Sequence, residues 1–278
     1  MRVIKDCSFD EERALYGEHD IKLINVSFSG KADGESALKE ASDIECENVL
    51  FNLRYPLWHD SNVVIKNSTM TENCRAALWY TDNVEITKSH LNGIKALREC
   101  SNVRIKDTSI VSPEFGWRSS SISAENVKAE GEYFMFESRK LDFRNIEFKG
   151  KYSFQYIEDA RFENCRFDTK DAFWHSKNTT VINSVIKGEY LAWYSENLTL
   201  IDCKIIGTQP LCYARNLKMV NCTMTDTDLS FEKSDVDASI TGDILSIKNP
   251  KSGKITVKGK IGSIILDDDN SKGEIIEI

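Results

Sequence analysis

Two rows of side chains in this 278-residue chain are of the types that saccharide chemistry uses, and both recur at about every nineteenth residue. The first reads Trp58, Trp79, Arg98, Trp117, Phe136, Gln155, Trp174, Trp193, Cys212 and Phe231. The position directly after it reads His59, Tyr80, Glu99, Arg118, Glu137, Tyr156, His175, Tyr194, Tyr213 and Glu232. Sugar rings offer apolar faces that stack on aromatics and hydroxyls that need hydrogen bonds. The expected ligand contacts are therefore Trp58, His59, Trp79, Tyr80, Arg98, Trp117, Tyr156, Trp174, His175, Trp193 and Tyr194.

The same rows supply the candidates for bond cleavage, Glu99, Arg118 and Glu137. If each repeat is one strand spacing deep, the two glutamates lie about 9.6 Å apart by backbone, near the upper limit for the acid and base of an inverting glycoside hydrolase. That spacing permits catalysis without demanding it. Arg118 between them reads equally as the middle of a surface ion-pair ladder, which does no chemistry. Glu158, Glu196, Arg139 and Arg215 at the following corner are expected only to solvate the edge.

What positions these rows is a repeat. Leu141 to Phe148, Ala160 to Phe167, Thr179 to Ile186, Leu198 to Ile205 and Leu217 to Met224 say the same thing at an interval of 19. A period of that size means stacked supersecondary units instead of one globular core. Its central residue can be followed as Asp6, Asn25, Asn48, Asn67, Lys88, Asp107, Asn126, Asn145, Asn164, Asn183, Asp202 and Asn221. Two longer intervals are small insertions, between Gly30 and Gly34 and near Glu72 to Arg75.

Apolar residues lie four and two before each anchor and three after it, the alternation of half-buried strands with the anchor as a corner. Asn suits such a corner because it tolerates the left-handed backbone region and hydrogen-bonds locally. A second Asn/Asp row sits five residues earlier, at Asn62, Asn83, Asn102, Asn178, Asn197 and Asn216 among others, and Gly93, Gly131, Gly150, Gly188 and Gly207 mark a looser third corner. Three short strands and three turns per unit make one coil of a parallel β-helix, and the handedness of parallel crossovers favours a right-handed one. The reading is all-β: about twelve coils over residues 1–240 and a β-rich cap over 241–278.

This repeated unit, with its Asn row between two strands, resembles the right-handed β-helices of the pectin-lyase-like superfamily, in particular a family of short-coil bacterial members. The resemblance covers roughly residues 2–240 and specifies fold far better than activity. It implies a carbohydrate ligand in a groove beside the third strand. Any enzyme would be a glycoside hydrolase or polysaccharide lyase, and the rival is a non-catalytic structural or scaffolding rod. The superfamily's aspartate cluster and its acidic calcium ligands have no clear match here.

Which way the tryptophans face stays open. If the preceding row (Leu57, Leu78, Leu97) faces the core, the indoles face outward as a ladder; if the row two positions later (Thr81, Cys100, Ser119) does, alternation turns them inward.

With 44 acidic and 36 basic residues the net charge is −8, which leaves no electrostatic case for nucleic acid or an anionic membrane as partner. The acidic first 25 residues read neither as a signal peptide nor as a spanning helix, so the expected location is the cytoplasm. Eight cysteines without a C-x-x-C pair argue for buried free thiols, with no metal and no cofactor. Terminal coils carry unpaired backbone groups, so either the tail or a second copy of the chain is expected to cover one end.

Overall fold

A computed structural model describes residues 1–30 and 35–278 and contains no helix among them. The first insertion lies, from residue 31 onward, outside the described residues; the second is a tight turn in which Cys74 N–H donates to the Thr71 carbonyl at 2.9 Å. The chain divides into two compact units, Met1–Asp142 and Phe143–Ile278. Each is a stack of parallel β-coils.

In the first unit the alternation places every second side chain inside, and the strands of successive repeats pair in parallel and in register. Ile44 pairs with Val63, Val63 with Val84 and Val84 with Val103; Cys46, Ile65, Ile86 and Ile105 follow two residues on. All eight are buried. In the second unit Ala160, Thr179 and Leu198 align, as do Phe162, Val181 and Leu200. Like stacks on like, so the core is a set of columns; in the second unit Phe154 stacks on Phe173, and Phe162 and Phe167 meet these rings at an angle from the other sides of the coil.

The Asn corners form hydrogen-bonded ladders. Asn25 Nδ2 donates to Asp6 Oδ1 at 2.9 Å and Asn48 Nδ2 to Asn25 Oδ1 at 2.6 Å. In the second unit Asn216 donates to Asn197 at 2.7 Å, Asn197 to Asn178 at 2.9 Å and Asn178 to Asp159 at 3.0 Å. Anchors and second-row residues alike have the left-handed backbone, with φ from 49° at Asn67 to 56° at Asn62 in one coil. At the glycine corner the reason for glycine is contact: a Cβ on Gly188 would stand 2.0 Å from the Thr169 carbonyl oxygen.

The third side differs from the expected strand. It shrinks to two-residue strands at Leu57–Trp58, Leu78–Trp79 and Leu97–Arg98, and in the second unit to turns. The chain also makes about 14 turns where twelve were expected. Beyond Ile240 the coils continue: Asp235–Thr241 pairs in parallel with Ser252–Lys258, and Ser252–Lys258 with Glu274–Glu277. Asp235 faces Ser252, a step of 17, and no Asn marks the corner, which hides these turns from a 19-residue reading.

Candidate functional site

The residue after each tryptophan decides the orientation of the row. His59, Tyr80, Glu99, Arg118, Tyr156, His175 and Tyr194 all have φ between 50° and 60°. A left-handed residue in a strand turns the chain, so the residues flanking it no longer alternate. Consequently Leu57, Leu78 and Leu97 are buried, and so are Thr81, Cys100 and Ser119. The indoles between them lie on the corner, half-buried. Both rows beside the indoles therefore face the core, and no side-chain type common to the corner announces the turn.

Each indole is pinned by its N–H, which donates to a backbone carbonyl of the following coil: Trp58 to Ala76 at 2.5 Å, Trp79 to Lys95 at 2.8 Å, Trp117 to Tyr133 at 2.7 Å, Trp174 to Tyr190 at 2.6 Å and Trp193 to Gln209 at 2.8 Å. Gln155 does the same with its amide, to Asp171 at 2.9 Å. The ring faces cover one another. Trp58 and Trp79 stack at 5.1 Å, Trp174 and Trp193 at 5.4 Å, and the Arg98 guanidinium lies between Trp79 and Trp117 at 5.0 and 5.2 Å. Faces so occupied are not free to receive a sugar ring.

The outer row forms a second ladder beside the first. In the first unit His59 stacks on Tyr80 at 4.8 Å. In the second, four rings stack in succession: Tyr156 on His175 at 4.7 Å, His175 on Tyr194 at 5.0 Å and Tyr194 on Tyr213 at 4.8 Å. Tyr156 and Tyr194 remain 46% and 44% exposed. Burial holds the His175 imidazole below its usual range. Tyr213 is raised, first by burial and then by the nearby Glu232 carboxylate.

The three candidates for bond cleavage are in the first unit, each engaged in an ion pair. Arg118 Nε donates to Glu137 Oε2 at 2.7 Å, with both side chains well exposed. Glu99 Oε1 stands 3.7 Å from Arg98 Nε. Glu137 raises the Arg118 guanidinium further, through that hydrogen bond and by charge. The arrangement is two separate ion pairs at a corner, of which that between Arg118 and Glu137 is exposed.

Two features escaped sequence reasoning. Lys177 completes an alternating row Glu158, Lys177, Glu196, Arg215, in register across neighbouring coils; its signal in the sequence is the spacing of 19. Asp60 occupies the row of Thr81, Cys100 and Ser119, only 2% exposed. Its Oδ1 accepts the Ala41 N–H at 2.9 Å, while Oδ2 has no hydrogen-bond partner among the described residues. Burial, opposed by the amides of Ala41 and Glu40, pushes this carboxyl up to about 8. The eight cysteines are free, seven of them buried, and no group of three metal-ligating side chains occurs among the described residues. Nor is any helix among them long and apolar enough to cross a membrane.

Columns of like residues, two Asn ladders and an outer ring ladder define a parallel β-helix repeat protein whose third side carries aromatic rows. Over residues 2–278 the chain matches the family described as "Protein of unknown function (DUF3737)", and it belongs to that family. No curated protein matches it. Among solved structures it is similar to PfbA, a surface adhesin of Streptococcus pneumoniae, at 9% identity and TM-score 0.40, covering 93% of this chain and 83% of that one. It is also similar to the catalytic domain of a GH87 α-1,3-glucanase in complex with nigerose, at 11% identity and TM-score 0.33, covering 99% of this chain but 63% of that one. A third is the A-module of the Azotobacter vinelandii mannuronan C-5 epimerase AlgE6, at 14% identity and TM-score 0.28, covering 99% and 80%.

Proposed function

We propose that the second unit binds an oligo- or polysaccharide along the ring ladder Tyr156, His175, Tyr194 and Tyr213, without cleaving it. The observation that carries the reading is the exposure of Tyr156 and Tyr194 within a stacked, regularly spaced row. Phenols and imidazole present an apolar body with a polar tip. A polymer lying across the ring edges would meet one such group per coil, and the tryptophans beneath hold the rings in place. Binding would then run through hydroxyl hydrogen bonds and edge contacts in place of face-on stacking. Placement in the pectin-lyase-like superfamily and a cytoplasmic location belong to the same proposal.

Against cleavage stands the engagement of Glu137 with Arg118 on an open corner. A general acid needs a carboxyl held protonated near neutral pH by a dry or like-charged setting, and an exposed salt bridge is the opposite environment.

Affinity electrophoresis or calorimetry over a broad glycan panel tests the proposal. Binding to at least one polymer is expected, with most of it lost in Tyr156→Ala/Tyr194→Ala and no reducing ends released on long incubation. The rival reading, a structural rod, is favoured by the way ring faces are consumed by one another, which stabilises coils whether or not a ligand exists. Absence of binding across the panel would establish that rival.

A further inference from the structure

The charges that flank the ring ladder narrow the class of ligand, on the condition that the ladder binds a saccharide as proposed above. Two residues beyond each ring runs the row Glu158, Lys177, Glu196, Arg215, alternating in sign and paired along its length. Lys177 Nζ lies 3.5 Å from Glu158 Oε1 and stands opposite Glu196 in the sheet; Arg215 lies 2.9 Å from Glu196 Oε2. On the other side Lys170 Nζ is 3.1 Å from Glu189 Oε2. Each of these cations beside the ladder thus has a carboxylate of its own.

We infer that the ligand of this face is a neutral polysaccharide and that uronate polymers are excluded. A uronate carboxylate held by a remaining donor of Lys177 or Arg215 would stand beside Glu158 or Glu196, which those cations already hold. Like charges placed side by side in this way oppose its binding. The chain's net charge of −8 opposes a polyanion at longer range as well. A neutral sugar meets no such barrier. Its hydroxyls donate to the outer oxygens of Glu158 and Glu196, since an ionised carboxylate has about four acceptor positions of which a single ion pair uses only some. They accept from Lys177, Arg215 and the phenols.

The test sets neutral polymers (mixed-linkage β-glucan, xylan, mannan, starch) against polygalacturonate and alginate, at low and high salt, with the wild-type chain and Glu158→Gln/Glu196→Gln. Wild type is expected to retain neutral polymers equally at both salt concentrations and to leave the uronates unbound. The double variant, whose Lys177 and Arg215 lose their acidic partners, should acquire uronate binding that disappears in high salt. Circular dichroism confirms that it is folded. Wild-type preference for a uronate polymer would overturn the inference and leave saccharide binding standing. A folded double variant that gains no uronate binding would likewise overturn it. A wild-type chain that binds nothing would remove the proposed function, and the inference with it.

Discussion

Lys88 stands alone among the corner anchors in being neither Asn nor Asp, yet it adopts the same left-handed backbone, with φ of 50°. A left-handed residue other than Gly, Asn or Asp costs about 1–2 kcal/mol. Lys88→Asn should therefore raise stability by about 1 kcal/mol, and the introduced amide could donate to Asn67 as its counterparts do elsewhere. Thermal melting checks this. Asp60 is the other residue at odds with its place, a carboxyl where neighbouring coils put Thr, Cys or Ser. Its proton is held in the native state up to a pH of about 8, whereas the unfolded chain gives it up near 3.8. Between those values the native state binds the extra proton, so stability from this group is fully present below the lower value and is lost as pH rises towards the upper one. Asp60→Ser should flatten that slope in denaturant titrations and stabilise the protein at pH 7 by about 1–3 kcal/mol, the cost of an unsatisfied buried polar group. A slope unchanged by the substitution would show that the carboxyl is not the cause.

At the scale of elements, the coil is a compromise between strands that want alternation and corners that want left-handed residues. The ladders over-determine those corners, because each backbone N–H there donates to a neighbouring coil, as Tyr80 does to the Arg98 carbonyl at 3.0 Å and Asn67 to Thr87 at 3.1 Å. Backbone strain persists where surrounding structure fixes it in this way. Glycine corners have no such latitude. A Cβ on Gly207 would meet the Gly188 carbonyl oxygen at 2.2 Å, at a φ of 127°, and that oxygen is backbone and cannot rotate away. Gly207→Ala is expected to destabilise the second unit by at least about 3 kcal/mol, among the larger single-residue effects. A melting temperature within a degree of wild type would contradict the close approach. The half-buried indoles are secondary to this backbone frame: they are held by it through their N–H groups and seal its edge.

For the molecule as a whole, the architecture depends on contacts between residues about one period apart, so the repeat read along the chain is also the list of what touches what. That is why the parallel strands, the Asn ladders and the buried columns were legible in the amino-acid order: in a stack, identical environments demand similar residues at every turn, and periodicity writes the environment into the sequence. The same logic failed past Ile240, where the step shortens to 17 and the Asn corner is dropped while the parallel pairing goes on. It failed also at the tryptophan corner, whose left-handed turn is made mostly by Tyr, Glu and Arg, residue types with no preference for it. Sequence alone determined the fold class and which side chains share a row, because period and alternation are properties of the chain. Only the tertiary structure decided that the indole faces cover one another, that Arg118 is tied to Glu137 and that Lys177 stands between two glutamates. Those outcomes depend on side-chain direction and on pairing across coils, which backbone turns set and residue spacing does not.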